Sequence, residues 1–430
     1  MTRSFWLLVS LIFGFSVLGL LYRRSELVAA ALPLMVYLLG AIWRIPGQFR
    51  LEAERRLSTD KASEGIPLEV RVKVQNQGEM VDEFYLVDRL PPGIEVVEGD
   101  LIHIELFPPE GAIELHYRLT GKRGRYTLDG LLATGMDPFG LFRVESLLSP
   151  LSTLLIYPVS EDLPSIPIRP PNTKGFSGPI PSRKSGVGMD FFGVRAYQPG
   201  DPLRRINWRL TARHLQDLYA NEFEQERIAD IGLILDARQQ YNYQCGARQI
   251  FEYSVLACAS LASAFLADGH SVSLVMFGAG ISRVFPGYGK VQRERILRAL
   301  ANAHTGFNFA LESLGNLPAR LLAPHGQLVY ISTVSPDDIG PLLRFRAQGY
   351  EVIVVSPDPL SFELKGEAPF FSLEDRLAER FARLERDLLL RELRSAGILV
   401  AVWDVDQPLS SAVDSIRLQL PLRRRVVKVL

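Results

Sequence analysis

The chain has 430 residues, with 48 basic and 48 acidic side chains, so its formal net charge is zero and bulk electrostatics gives no reason to expect a nucleic-acid partner. That length suggests two or three domains rather than one. The two cysteines, Cys245 and Cys258, make no disulfide framework and allow a reducing compartment.

The apolar excess lies at the N-terminus. Phe5 to Tyr22 carries no charge, and Leu27 to Trp43 is again apolar, broken only by Pro33. Each segment is close to the lower limit for crossing a bilayer core, and Arg23-Arg24-Ser25-Glu26 between them leaves room only for a tight hairpin. Trp6, Tyr22, Tyr37 and Trp43 fall near the segment ends, as interfacial aromatics do. No small-x-small cleavage site follows the first segment, so residues 1–50 read as a membrane anchor rather than a cleaved signal. Arg3, Arg44, Arg50, Arg55, Arg56 and Lys61 flank the outer ends against Arg23 and Arg24 in the turn. This bias places both termini and the soluble parts in the cytoplasm, with the chain multi-pass in its membrane.

Over residues 51–160 the period changes to two. Leu68-Glu69-Val70-Arg71-Val72-Lys73-Val74 alternates apolar and polar, as a half-buried strand does. Further short strands separated by Pro/Gly turns predict about seven in all, and hence an immunoglobulin-like β-sandwich. Asp137-Pro138-Phe139-Gly140 is a strong turn signal, read as a tight turn with aromatic packing rather than a binding element. Residues 161–227 form a third region. Its first part, to Gly188, is rich in proline and glycine, poor in large apolar residues, and reads as an extended linker. In its second part Asp201 and Pro202 are suited to the N-cap and first position of a helix. That helix would set Leu203, Ile206 and Leu210 on one face and Arg205, Arg209 and Arg213 in a stripe. Glu222, Glu224 and Glu226 recur at strand spacing nearby. Two readings stay open: an internal charge match that clamps the segment, or arginines left for an acidic partner surface.

From residue 228 to 405 strands and helices alternate. Ile231 to Leu235 is a continuous apolar strand, Ala247 to Ala267 a long helix, and Leu373 to Ala396 an amphipathic helix with Leu373, Leu377, Phe381, Leu384 and Leu388 on one face. This pattern predicts a doubly wound, mostly parallel α/β sheet. Residues 406–430 read as a C-terminal tail.

Ligands of such sheets bind beyond the carboxyl ends of the strands, and Asp236 stands at one. A divalent cation there would need oxygens at alternate positions, but these hold Arg238 and Gln240. The expectation is a degenerate metal site, with Asp236 capping loop N–H groups or pairing with Arg238. None of the six histidines has metal-ligand spacing, and neither a Gly-x-Ser-x-Gly elbow nor a phosphate loop is found. Gly278-Ala279-Gly280 reads as a turn. The expectation is therefore a non-enzymatic protein without cofactor.

The residues Gly188-x-Asp190-Phe191, Arg195-x-Tyr197, Gly200-Asp201, Arg204-Arg205-Ile206-Asn207-Trp208 and Ala212-Arg213 together closely resemble the signature of a bacterial family known as domain of unknown function 58. Lys122-Arg123-Gly124-Arg125-Tyr126 and Asp137-Pro138-Phe139-Gly140-Leu141-Phe142 also look like its motifs. The resemblance implies paired membrane helices, a β-sandwich, the signature, and a sheet domain similar to von Willebrand factor type A. It implies partners among MoxR-type AAA+ ATPases and transglutaminase-like membrane proteins, in chaperone-like or envelope-assembly roles. Asp190, Phe191, Arg195, Tyr197, Gly200, Asp201, Arg204, Arg205, Trp208, Arg209 and Arg213 are then the candidate partner-binding residues. Of the Asp-x-Ser-x-Ser pattern with which type A domains hold a metal ion, only Asp236 is present. The resulting expectation is a membrane-anchored scaffold. A cation-dependent adhesion module and a cell-envelope hydrolase are the alternatives.

Overall fold

The computed structural model describes residues 2–45, 50–166, 168, 180–213, 217–318, 321–364 and 373–419. They form two compact units that meet in sequence between Tyr157 and Pro158.

The first unit opens with two apolar helices, α1 (Arg3–Leu21) and α2 (Ser25–Trp43), joined by a turn in which Arg23 takes a positive φ. Thr2 caps α1 by accepting the Phe5 N–H. Both helices are long and apolar enough to cross a membrane, and only 6% and 11% of their most apolar windows are buried. Eleven strands follow, rather than about seven: β1 (Leu51–Leu57), β2 (Lys61–Ser63), β3 (Leu68–Asn76), β4 (Val81–Arg89), β5 (Ile94–Gly99), β6 (Ile102–Phe107), β7 (Ala112–Gly121), β8 (Gly124–Leu128), β9 (Gly130–Met136), β10 (Arg143–Leu148) and β11 (Ser152–Tyr157). Six of the eleven, β1, β2, β5, β6, β8 and β10, lie at sheet edges.

They make two four-stranded sheets, ordered β1-β3-β7-β5 and β10-β9-β4-β6, and a three-stranded one, β2-β11-β8. The alternation in β3 buries Val70, Val72 and Val74, which pack with Leu115, Tyr117, Phe84, Leu86 and Leu131 in one core. Each fully buried side chain of this size contributes about 1.5–3 kcal/mol. β11 pairs antiparallel with β8 but parallel with β2, setting Leu155, Ile156 and Tyr157 beside Lys61, Ala62 and Ser63. One ion pair is fully buried: Arg55 binds Asp88 through two nitrogens and donates to the Leu128 and Pro150 carbonyls, while Tyr117 donates to Asp88 at 2.6 Å. Burial, followed by the Asp88 charge, pushes the Tyr117 phenol well above its ordinary range.

The second unit begins differently from the expected linker. Ile166 and Ile168 are buried, the Glu161 N–H binds Ser260, and the Glu161 carboxylate accepts the Leu409 N–H at 2.9 Å. A long ribbon follows, β12 (Ile180–Ala196) antiparallel to β13 (Tyr219–Arg227), with register shifts where the two strands differ in length. Among the described residues between them are a 3-10 turn, Leu203–Arg205, and the four-residue α3 (Trp208–Thr211).

The remaining strands are β14 (Asp230–Asp236), the two-residue pair β15 (Gln244–Cys245) and β16 (Arg248–Gln249), β17 (Ser271–Phe277), β18 (Ile281–Gly287), β19 (Gln327–Ile331), β20 (Glu351–Pro357) and β21 (Leu399–Trp403). The helices are α4 (Ile250–Ala267), α5 (Gly289–Ala301), α6 (Pro336–Ala347), α7 (Pro359–Leu364), α8 (Leu373–Ser395) and α9 (Leu409–Gln419). One six-stranded sheet, ordered β18-β17-β14-β19-β20-β21, is parallel except for β18 at its edge. β14 and β17 are buried along almost their whole length, which their continuous apolar runs require. α4 is also apolar enough to cross a membrane, but 67% of it is buried against the sheet.

One further expectation is corrected in this unit. Part of the tail at 406–430 is α9, which buries Leu409, Ala412, Val413 and Ile416; residues 420–430 lie outside the described residues. In α8, Leu390 and Leu393 face the sheet. The apolar stripe Leu377, Phe381, Leu384 and Leu388 is 56–63% exposed. The side chain of Leu373 lies outside the described residues.

Candidate functional site

The strand order reverses between β17 and β19 on either side of β14, so the crevice expected for a ligand opens beyond Asp236 and Ser332. Arg238 fills it. Its guanidinium bridges two carboxylates, with Nε and Nη2 on Asp236 at 2.9 and 2.7 Å and Nη2 on Asp338 at 2.8 and 3.0 Å. Nη1 donates to the Glu312 carbonyl, and the Tyr330 hydroxyl lies 3.0 Å from Nη2. Ser332 donates to Asp236 at 2.8 Å, and the Arg238 N–H closes a turn onto the same carboxylate. The side chains of Asp236, Arg238 and Asp338 are 2%, 3% and 0% exposed.

Sequence reasoning found Asp236 and its pairing with Arg238, but did not single out the second carboxylate. It is Asp338, because Ser335 caps α6 and the third helical residue must turn back to the cap. The loop that carries it is strained: Val334, a β-branched residue, holds a φ of 62° and donates its N–H to Ser332. Burial raises the Asp338 carboxyl above its ordinary range despite the opposing pull of Arg238. Burial acts to lower the Arg238 pKa, but its hydrogen bonds to Asp236 and the charges around it outweigh that and raise it. The space left in the crevice is about 10 Å³, room for no more than a single water.

A larger cavity, about 650 Å³, opens beside it between the Gly278-Ala279-Gly280 turn and the face of α5 carrying Arg295, Arg298 and Ala299. The turn must be glycine at Gly278, where a Cβ would stand 2.2 Å from the Ala237 carbonyl oxygen. His304 lines the cavity, and its Nδ1 faces the Asn302 carbonyl at 3.1 Å. Among the described residues no group of three His, Cys, Asp or Glu could hold a metal ion. Cys258 is buried in α4, and burial raises its thiol far from the thiolate range, while Cys245 is half-buried.

The signature segment does not form the expected helix. Leu203–Arg205 is a single 3-10 turn, Ile206 returns to extended backbone, and Asn207 then caps α3. The cause is tertiary: Ile206 bridges Ala220, and the Asn207 N–H binds the Tyr219 carbonyl at 2.8 Å, so two residues are taken by β13. Hence there is no helical stripe of Arg205, Arg209 and Arg213. Asp201 is not a helix cap either. It receives both ends of the Arg195 guanidinium at 2.7 Å and the Gln198 N–H at 2.9 Å. Arg195 also binds Glu222 at 2.9 Å, and the Tyr197 hydroxyl donates to the Asp201 carbonyl. The Arg195 hydrogen bonds, helped by the Gln198 N–H, hold the Asp201 carboxyl below its ordinary range. Gly200 at φ 110° makes the turn possible.

The internal match therefore runs through Arg195, Asp201 and Glu222. Arg205 adds to the positive field on Asp201. Leu203 and Trp208 are 70% and 65% exposed, Phe191 is 62% exposed, and Arg204, Arg209 and Arg213 are exposed without an acidic partner among the described residues. The side chains of Asp190, Glu224 and Glu226 lie outside the described residues.

Three relatives are informative for how far these features extend. The chain is 28% identical over 245 residues to the uncharacterized protein YeaD of Bacillus subtilis, covering 54% of this chain and 58% of that one. It is 28% identical over 241 residues to the uncharacterized proteins Mb1516 of Mycobacterium bovis and Rv1480 of Mycobacterium tuberculosis, covering 49% of this chain and 73% of each. The chain thus spans little more than half the length of the Bacillus relative. Among solved structures, the CARDB domain of the PF1109 protein from Pyrococcus furiosus is similar over 25% of this chain at 14% identity and a TM-score of 0.18. A non-cellulosomal cohesin from Archaeoglobus fulgidus is similar over 24% at 18% and 0.17. Likeness at that level carries no structural argument. The match that matters covers residues 193–392, from the Arg195 clasp through the Arg238 crevice to α8, where the chain matches the model of the family described as Protein of unknown function DUF58.

Proposed function

We propose that the protein is a membrane-anchored, non-enzymatic docking platform, with α1 and α2 crossing the membrane as a hairpin and the soluble units on the cytoplasmic side. The carrying observation is a contrast. The crevice where an α/β sheet would hold a ligand is filled by Arg238, while the signature presents an exposed set of Leu203, Arg204, Trp208, Arg209 and Arg213. Trp and Arg are the residue types that dominate protein–protein hot spots, and an apolar group rimmed by exposed positive charge favours an acidic protein surface. The outward stripe of α8 adds a second apolar face. Its flanks mix arginine and glutamate, which fits a protein better than a bilayer.

The sheet order, parallel with one antiparallel edge, supports kinship with type A domains. A MoxR-type AAA+ ATPase is the first partner to test and a transglutaminase-like membrane protein the second, in a chaperone-like or envelope-assembly role. The cation-dependent reading meets a guanidinium where the cation would sit. The hydrolase reading finds in the open cavity a lone histidine without an orienting carboxylate among its lining residues.

The test is quantitative co-purification of the full chain in mild detergent, with and without a non-hydrolysable ATP analogue. A Trp208→Ala/Arg209→Glu variant, altered only at exposed positions, should lose partner recovery by about 30-fold, the loss expected for a hot-spot residue. Equal recovery would move the contact off the signature. Recovery of no ATPase with either chain would refute the partner assignment.

A further inference from the structure

The Asp137–Phe142 turn of the sandwich is seated on the open end of the helical hairpin. Phe142 packs against Phe5 at 5.3 Å between ring centroids and Phe139 against Tyr37 at 4.9 Å, edge to face. Leu141 and Phe142 form one buried cluster with Leu8, Leu38 and Ala41. Each helix has 19 residues, about 28 Å, close to the ~30 Å of a bilayer's hydrocarbon core. The contacts at Phe5, Leu8, Tyr37, Leu38 and Ala41 fall within roughly 9 Å of the helix ends at Arg3 and Trp43. A hairpin that spans the membrane thus carries this turn below the headgroup surface.

Most of its backbone groups are paired within the protein. Within lipid, peptide groups must find partners in the protein. Here the Asp137 carboxylate takes the N–H groups of Phe139 and Phe142, the Asp137 carbonyl takes the Gly140 N–H, and the Asp137 N–H goes to the Phe142 carbonyl. Pro138 has no N–H to satisfy. Of the four remaining carbonyls the hairpin takes three: Phe139 by the Tyr37 hydroxyl, Gly140 by the Thr2 hydroxyl and Leu141 by the Thr2 N–H.

From this geometry we infer that the Asp137–Phe142 turn is a lipid-inserted element: it enters the headgroup–acyl boundary of a phospholipid bilayer and fixes the sandwich to the membrane at that point. The inference rests on the hairpin reading above, and the test separates the two. The full chain with Cys245→Ser is reconstituted in phosphatidylcholine/phosphatidylglycerol vesicles. A nitroxide is attached in turn at Pro138→Cys, at Val36→Cys on the exposed face of α2, and at Ser149→Cys beyond the far end of β10. Collisions with oxygen and with an aqueous nickel chelate report depth. Positions 36 and 138 should favour oxygen over nickel by at least about tenfold relative to 149. A lipid-exposed 36 with a 138 as open to nickel as 149 would overturn the insertion alone. A water-exposed 36 would overturn the hairpin and the insertion together. Because a label could disturb the turn, p-benzoylphenylalanine in place of Phe139 gives a second readout: it should crosslink to lipid on illumination, and a failure to do so while crosslinking to protein counts against insertion.

Discussion

Arg238→Met removes the positive charge from between Asp236 and Asp338 while keeping an apolar side chain of similar length. Three groups then lose their shared donor: two carboxylates that are 2% and 0% exposed, and the Tyr330 hydroxyl. Removing one partner of a buried ion pair costs about 3–5 kcal/mol. Solvent screening gives no discount here, because the arginine side chain is itself only 3% exposed. For a unit of this size, at about 2–4 °C per kcal/mol, the fall in melting temperature is roughly 6–20 °C.

The pH dependence carries the mechanism. The Asp338 carboxyl already titrates above its ordinary range through burial. A raised carboxyl stabilises the fold below its unfolded pKa, and that stability is lost as pH rises through the folded one. Without Arg238 the carboxyl rises further, so the deficit should be largest at pH 8 and shrink at pH 5. Differential scanning fluorimetry of the detergent-solubilised chain across that interval reads both effects. Adding Asp338→Asn to the variant should recover part of the loss. A melting temperature within 1–2 °C of wild type, flat with pH, would refute the reading of Arg238 as an internal counter-ion.

Four further outcomes follow from the geometry. Magnesium or manganese should give neither heat on titration nor a thermal shift with the wild-type chain, since the guanidinium already occupies the position between the carboxylates. Arg55→Met in the sandwich should cost about 3–5 kcal/mol in urea unfolding, because Asp88 and Tyr117 are left buried together without a cation. Asp201→Asn should speed amide exchange over residues 197–211 at neutral pH. The difference should close as pH falls through the carboxylate range, since a depressed carboxyl contributes only while ionised. Leu384→Glu on the outward face of α8 should leave the melting temperature within about 1 °C, as a fully packed leucine would not.

What could be read from the sequence divides by the range over which each feature is determined. The two apolar helices and the β3 strand follow from local pattern, and the chain keeps them at those residues. The broken signature helix could not be read that way. Asp201-Pro202 is a good local start, but the backbone of Ile206 and Asn207 is claimed by Ala220 and Tyr219. Likewise the stripe on α8 has the period of a core face, and nothing local says that Leu390 and Leu393, on the other side, are the residues that pack. Asp236 was legible as a site residue from its place at a strand end. Asp338, a hundred positions after Arg238, became visible only through the fold. The seat of Phe139 and Leu141 on the hairpin had no sequence signal, because its partners Thr2 and Tyr37 lie more than a hundred residues away.

The parallel pairing of β2 with β11 has a mechanical consequence. The chain enters the sandwich shortly before Lys61 and leaves it after Tyr157, and these two segments are neighbours running in the same direction. Tension between the entering and leaving ends would slide the strands lengthwise and load all their hydrogen bonds at once. It would not peel them apart one at a time. The Leu155 N–H to the Asp60 carbonyl and the Glu64 N–H to the Tyr157 carbonyl lie at the two ends of that pairing and share the load. Tension between the helical hairpin and the unit that begins at Pro158 that reached β2 and β11 would thus meet a shear clasp.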